Sequence, residues 1–219
     1  MKGIIFDMDG VLIDSEPQQF EANIKTLKMF GAEVEYDEFQ NFVGMDNFEL
    51  FKFFRKKYGI KVSAEELLKI KTDIIVKEMK NNLHIMPNFI EMSESLDGLS
   101  GVKFAIASSS PRISVDIVIE QLGWKNFLYC SVSGDEVSTA KPSPEIYHKA
   151  ASLLSIDEKD CLVLEDSAKG IDSALNAGMH VIGYYHKNSA KQDFSKVNHK
   201  IFSLEEFPNY AYEFANLKN

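Results

Sequence analysis

A chain of 219 residues with 45% hydrophobic residues can bury a core, as one large domain or as one domain carrying a smaller insert. Its net charge of −9 excludes a nucleic-acid surface, which needs clustered Lys and Arg, and no segment approaches the roughly 20 apolar residues of a membrane span. Strand-like sequence from Gly3 leaves no room for a signal peptide, and Cys130 and Cys161 sit in apolar runs as free thiols, so the cytoplasm is the expected compartment.

The first apolar run ends in Phe6-Asp7-Met8-Asp9-Gly10. A short run bounded by a glycine reads as a buried strand, and residues i and i+2 on it point the same way, about 6–7 Å apart. More than ninety residues then pass before the next such run at 102–107, far more than one crossover helix needs. Within them 18–30, 47–58 and 64–80 read as helices, and Ser63-Ala64-Glu65-Glu66 is a capping-box pattern. The remaining runs at 127–132, 161–164 and 181–185 alternate with helical stretches at 112–122, 145–154 and 167–177, the last stopping at Gly178. The order predicts an α/β fold: a doubly wound, mostly parallel Rossmann-like core over 1–14 and 87–219, with a helical insert over 15–86.

Chemistry-bearing residues gather after the strands. Asp7 and Asp9 follow the first, Ser108, Ser109 and Ser110 the second, Lys141 the third at longer range, and Glu165 and Asp166 the fourth. Parallel strands bring these positions to one edge, where open α/β sheets bind ligands. Each has a bland reading alone: a solvated turn, a helix cap, a surface lysine, an acidic turn. The calcium-loop reading of Asp7–Gly10 fails, because that loop places its glycine sixth and Gly10 would be fourth. Taken together the set suits phosphate-ester hydrolysis, which needs rate factors of up to about 10²¹. A carboxylate nucleophile splits the reaction through an aspartyl-phosphate. It must first meet a phosphate dianion, at a cost of about 4 kcal/mol per unit-charge pair at about 4 Å. A lysine and a divalent cation reverse that sign, and oxygen donors without a His or Cys cluster point to Mg²⁺. A serine hydroxyl and backbone N–H groups suit the remaining phosphoryl oxygens, and Asp9 is placed to protonate the leaving oxygen and later activate water.

Four segments, Asp7-Met8-Asp9-Gly10-Val11-Leu12, Ser108 after Ala105-Ile106-Ala107, Lys141-Pro142-Ser143-Pro144-Glu145, and Leu164-Glu165-Asp166-Ser167, resemble the four motifs of the haloacid dehalogenase (HAD) superfamily. The resemblance covers the whole chain, including a helical cap between the first and second motifs, and is greatest to the branch of β-phosphoglucomutase and the sugar-phosphate phosphatases. It implies Asp7 as nucleophile and Mg²⁺ ligand, and Asp9 as acid/base and as backbone ligand. Ser108 and Lys141 are implied as phosphoryl holders, with Glu165 and Asp166 completing the metal site directly or through water. Ser109, with Gly44, Gln19, Asn47 and Lys71 of the cap, stands among the implied substrate contacts. The cap departs from the mutase: Gln19 replaces its gating histidine, and neutral Asn47 stands where an arginine grips a second phosphate, a contact worth roughly 1.5–3 kcal/mol.

The expectation is therefore a Mg²⁺-dependent phosphatase of a small phosphorylated metabolite, with β-phosphoglucomutase-type transfer on a hexose phosphate as the alternative. A cap that closes over the sheet edge would exclude bulk water, and a monomer suffices, since the motifs need no partner chain. A regulatory receiver that is only phosphorylated fits less well, because receivers lack a large insert after the first strand. The aromatic cluster Phe48, Phe51, Phe53, Phe54 and Tyr58 reads as cap packing, and His84, His148, His180, His186 and His199 match no ligand spacing and read as structural or exposed.

Overall fold

The structure is a computed structural model of the chain and describes its residues other than 36, 37, 40, 41, 43, 44, 46, 190, 191, 198, 218 and 219, and the side chain of 188. Gly44 therefore lies outside the described residues. The chain divides into two compact units, Met1–Asp14 with Leu83–Asn219, and Ser15–Asn82.

The larger unit is built on β1 (Lys2–Phe6), β2 (Val102–Ala107), β3 (Leu128–Val132), β4 (Cys161–Glu165), β5 (His180–Tyr184) and β6 (His199–Ile201). They form one six-stranded sheet in the order β3-β2-β1-β4-β5-β6, and every pairing is parallel. The chain winds outward from β1 on one side and then on the other, so the switch point falls beside β1, where such sheets leave a crevice at their carboxyl ends. Every residue of β1 and β4 is buried, as expected of parallel strands covered on both faces. The register levels the strand ends: Phe6 lies opposite Ile106 and Leu164, and Glu165 opposite Gly183. Asp7 N–H still donates to the Leu164 carbonyl at 3.0 Å, and Ser108 N–H to that of Val132 at 3.0 Å, so the first residue past each strand is fixed by the ladder.

Side chains alternate across β1. Ile5 packs with Tyr147, Leu154, Val163 and Ile171 on one face. Phe6 faces the other way, its ring 5.4 Å from Trp124, 5.6 Å from Phe207 and 6.2 Å from Phe104.

Along the chain the helices are α1 (Glu16–Met29), α2 (Asn47–Tyr58) and α3 (Ala64–Asn81) in the smaller unit, then α4 (Phe89–Leu96), α5 (Arg112–Gln121), α6 (Glu145–Leu154), α7 (Ala168–Asn176) and α8 (Phe207–Asn216). Ser63 caps α3 by accepting from Glu66 N–H at 3.1 Å, and Ser167 caps α7 by accepting from Gly170 N–H at 3.0 Å. Gly178 ends α7 at φ +79°, with its N–H on the Leu175 carbonyl at 2.9 Å. In the smaller unit Phe51 and Phe54 are fully buried with Leu27, Phe39, Leu50 and Leu67, whereas Phe53 is 44% exposed. Where the chain leaves and re-enters the larger unit, its two passages pair: Asp14 N–H donates to the His84 carbonyl at 2.8 Å, and Met86 N–H to that of Leu12 at 3.0 Å.

The structure adds β6, α4 and α8 to the expected elements. The strand has three residues, and only Ile201 of them is buried, which is too little for a period to show. The helix α8 buries Phe207, Pro208, Ala211 and Phe214, a spacing that a window extended past 185 would have registered.

Phe6→Ala would empty the space shared by Phe104, Trp124 and Phe207. Its expected cost is about 3–5 kcal/mol, read as a lower urea midpoint at unchanged slope.

Candidate active site

The turn after β1 separates Asp7 from Asp9. The Met8 carbonyl accepts from Leu12 N–H at 2.9 Å and Ile13 N–H at 3.2 Å, and Gly10 N–H reaches the Ile13 carbonyl at 2.8 Å. Gly10 sits at φ +86°, and a Cβ there would lie 2.1 Å from Asp166 Oδ2. Both the backbone conformation and the close approach of that carboxylate require glycine. Asp7 is buried, and its Oδ1 accepts from Lys141 Nζ at 2.6 Å. Asp9 is half-buried, and its Oδ2 accepts from Ser110 Oγ at 2.8 Å and Ser108 Oγ at 3.3 Å. Two acids two residues apart thus have separate partners.

Lys141 is the centre of the buried network. Its Nζ lies 2.6 Å from Asp7 Oδ1, 2.7 Å from Glu165 Oε1, 3.1 Å from Tyr147 Oη and 3.2 Å from the Ala107 carbonyl. Burial opposes its charge, but Asp7 and Glu165 outweigh that and hold its pKa well above the ordinary lysine value. Glu165 is saturated with donors: Lys141 and, at 3.1 Å, the Tyr147 hydroxyl reach Oε1, while Ser167 N–H at 3.0 Å and Oγ at 3.1 Å reach Oε2. Its carboxylate lies over the first turn of α7, where a Cβ on Gly170 would come within 1.6 Å of Oε1.

Asp166 accepts at Oδ2 from His186 Nε2 at 3.0 Å. Asp7, Glu165 and Asp166 each bring a carboxylate oxygen within 4.8 Å of the others. One lysine does not balance three clustered acids, two of them buried. Burial, with the charges of Glu165, Asp166 and Asp9, raises Asp7 well above the usual carboxylate range despite Lys141. Burial and Glu165 likewise push Asp166 up to about 6, against the pull of His186 and Lys141.

At this edge the structure brings Asp7, Asp9, Ser108, Lys141, Glu165 and Asp166 together. Ser109 is exposed there; Ser110, one residue on, makes the bond to Asp9. Within the helical unit Gln19 accepts from Lys71 Nζ, and Asn47 Oδ1 accepts from Asn23 Nδ2 at 3.3 Å. Sequence reasoning passed over the roles of Ser110, Tyr147 and His186. Tyr147 reads as a residue of the apolar face of α6 and gave no signal. In sequence His186 reads as structural or exposed; its side chain is 8% exposed and meets Asp166. It lies just past β5, so like the other positions it follows a strand end.

The raised Asp166 pKa carries a sign. Its folded value of about 6 exceeds the ordinary 3.8, so the folded state binds more protons between those limits and loses stability as pH rises through them. In metal-free protein Asp166→Asn should therefore be more stable than the parent at pH 7.5. The advantage should shrink as pH falls toward 4, measured by urea unfolding across that range.

The family model of haloacid dehalogenase-like hydrolases matches residues 4–184. A Thermotoga maritima protein named phosphorylated carbohydrates phosphatase is 30% identical over 182 residues, 83% of this chain and 84% of its own length. Among solved structures, CbbY from Rhodobacter sphaeroides in complex with phosphate matches with a TM-score of 0.82 at 21% identity, over 94% of this chain and 96% of its own. β-Phosphoglucomutase from Clostridium difficile matches with a TM-score of 0.77 at 21% identity, over 99% and 97%. At those identities the two structures speak to the fold alone, a doubly wound parallel sheet. By family model, relative and fold alike, this chain belongs to the haloacid dehalogenase-like hydrolases.

Proposed function

We propose that this hydrolase is a Mg²⁺-dependent phosphatase of a small phosphorylated metabolite, a sugar phosphate, working through an aspartyl-phosphate on Asp7. One observation carries the reading: Asp7 gives one carboxylate oxygen to Lys141, and Asp9 beside it is held by different partners. The pair is thus divided into a nucleophile beside a cation and an acid tethered by hydroxyls.

The residues fit a hard divalent cation. All three clustered donors are carboxylates within 4.8 Å, and the raised pKa values of Asp7 and Asp166, caused first by burial and then by the neighbouring acids, accord with a place for added positive charge. Asp7, Asp166 and the Asp9 backbone carbonyl would hold Mg²⁺, which when bound neutralises phosphate charge beside the nucleophile. Glu165, already saturated by Lys141, Tyr147 and Ser167, adds charge to the site and braces Lys141.

In the first step the free oxygen of Asp7 attacks phosphorus while Lys141 and Ser108 hold the equatorial oxygens. Asp9 gives its proton to the departing ester oxygen. In the second step Asp9 takes a proton from water, which attacks the aspartyl-phosphate and restores Asp7. Every group named comes from one chain, so a monomer suffices. No helix among the described residues is long and apolar enough to cross a membrane, which accords with action in the cytoplasm.

Gln19, Asn47 and Lys71 are the residues of the helical unit proposed to read the rest of the substrate. Asn47, neutral and bonded to Asn23, offers no second-phosphate grip, which favours water over a sugar hydroxyl as final acceptor. The name of the Thermotoga relative supports the carbohydrate class.

A screen of sugar phosphates and small phosphoesters with Mg²⁺ tests the class, and phosphate release that survives chelation would contradict it. Adding β-glucose 1-phosphate with a bisphosphate primer tests the mutase in the same plate, since glucose 6-phosphate would form in place of free phosphate. Asp9→Asn should lose about 10²–10⁴ of the rate with sugar phosphates and less with nitrophenyl phosphate, whose leaving group needs no proton. Equal losses on both would remove Asp9 from the role of leaving-group acid.

A further inference from the structure

His186 is the residue facing the acid cluster to which neither the motifs nor the reaction assigns a task. It stands two residues past the end of β5, with its side chain 8% exposed. Its Nε2 lies 3.0 Å from Asp166 Oδ2. An ionised carboxylate only accepts, so this contact assigns the hydrogen to Nε2. The same oxygen is closed on another side by Gly10, where a Cβ would come within 2.1 Å of it. Asp166 is thus wedged between a ring N–H and a bare backbone.

The backbone that carries the ring is itself held. His186 N–H donates to Ser189 Oγ at 2.8 Å, and its carbonyl accepts from Ser189 Oγ at 3.0 Å and Ser189 N–H at 3.1 Å. Ser189 is 2% exposed, and the Tyr184 ring lies 5.0 Å from the imidazole. The loop after β5 therefore closes on its own backbone in a way that presents one nitrogen to one carboxylate.

We propose that His186 is a positioning residue for the divalent cation, fixing the Asp166 carboxylate through Nε2–H···Oδ2 so that its other oxygen serves as ligand. This rests on the reading of Asp7 and Asp166 as cation ligands. Partners one bond removed from a metal hold the ligand's orientation, and losing one typically costs about 10–100-fold in metal affinity. A donor on a ligating carboxylate also withdraws charge from it, which alone would weaken the metal. Here the orienting effect is expected to prevail, because one oxygen of the carboxylate is held between His186 Nε2 and Gly10. The sign of the change on mutation therefore decides the matter.

The test titrates Mg²⁺ into the metal-stripped full chain by calorimetry, comparing the parent with His186→Leu and His186→Gln. Glutamine places an amide N–H near the position of Nε2, and leucine places none. The expected result is binding weaker by about 10–100-fold in His186→Leu and within several-fold of the parent in His186→Gln. Should the leucine variant not fold, His186→Asn, whose shorter amide does not reach, makes the same comparison with His186→Gln. Unchanged or tighter binding without the donor overturns the proposal, as does a glutamine variant no better than the one lacking a donor. Failure of the parent itself to bind Mg²⁺ is a separate outcome, which brings down the cation reading and this proposal with it.

Discussion

One buried ammonium organises this enzyme. Lys141 Nζ, with Asp7 at 2.6 Å and Glu165 at 2.7 Å, brings a positive charge between two buried carboxylates, where burial disfavours any uncompensated charge. Removing one partner of such a buried pair typically costs about 3–5 kcal/mol, because the survivor is left uncompensated. The surroundings serve this charge. Tyr147 on α6 and the Ala107 carbonyl at the end of β2 satisfy it, and Ser167 at the head of α7 holds Glu165 against it. Strand ends that lie far apart in the chain are thereby tied through one side chain.

The same arithmetic explains why the site asks for more than a lysine. Asp166 is the acid left over, raised to about 6, and His186 only partly offsets it. Such a deficit suits the proposed cation and, with that cation bound, a phosphate dianion. The proposed attack of Asp7 on phosphate would need that balance, since a bare carboxylate repels a phosphate dianion. Asp9, two residues on, accepts instead from the Ser108 and Ser110 hydroxyls. Segregating the two acids is what would let one strand end carry both proposed roles.

Much of this was legible in the sequence, for a physical reason. In a parallel sheet covered on both faces, strands are short continuous apolar runs, and whatever polar residue ends each run lands on the active edge. The bounds of β2, α2 and α6 coincide with the expected ones, and those of the other expected elements fall within two residues. The misses share a cause. Ser110 rather than Ser109 faces Asp9 because a turn, unlike a strand, has no period from which to read direction. Tyr147 looks apolar in a helical window, and only the fold places its hydroxyl on Lys141 and Glu165. His186 carries no motif, since a lone histidine after a strand acquires meaning only when the acid beside it is known. Gln19, Asn47 and Lys71 belong to a separate unit, where alignment to a family suggests roles and helix packing supplies the observed partners.

The central claim is that the phosphoryl group passes through Asp7. The direct measurement is a rapid acid quench during turnover of a phosphorylated sugar with Mg²⁺, followed by borohydride reduction and peptide mass spectrometry. An acyl phosphate on Asp7 is reduced to homoserine, so the account predicts that change at residue 7, dependent on substrate and absent from Asp7→Asn. An enzyme that turns over with Asp7 unmodified, or modified at another residue instead, would contradict it.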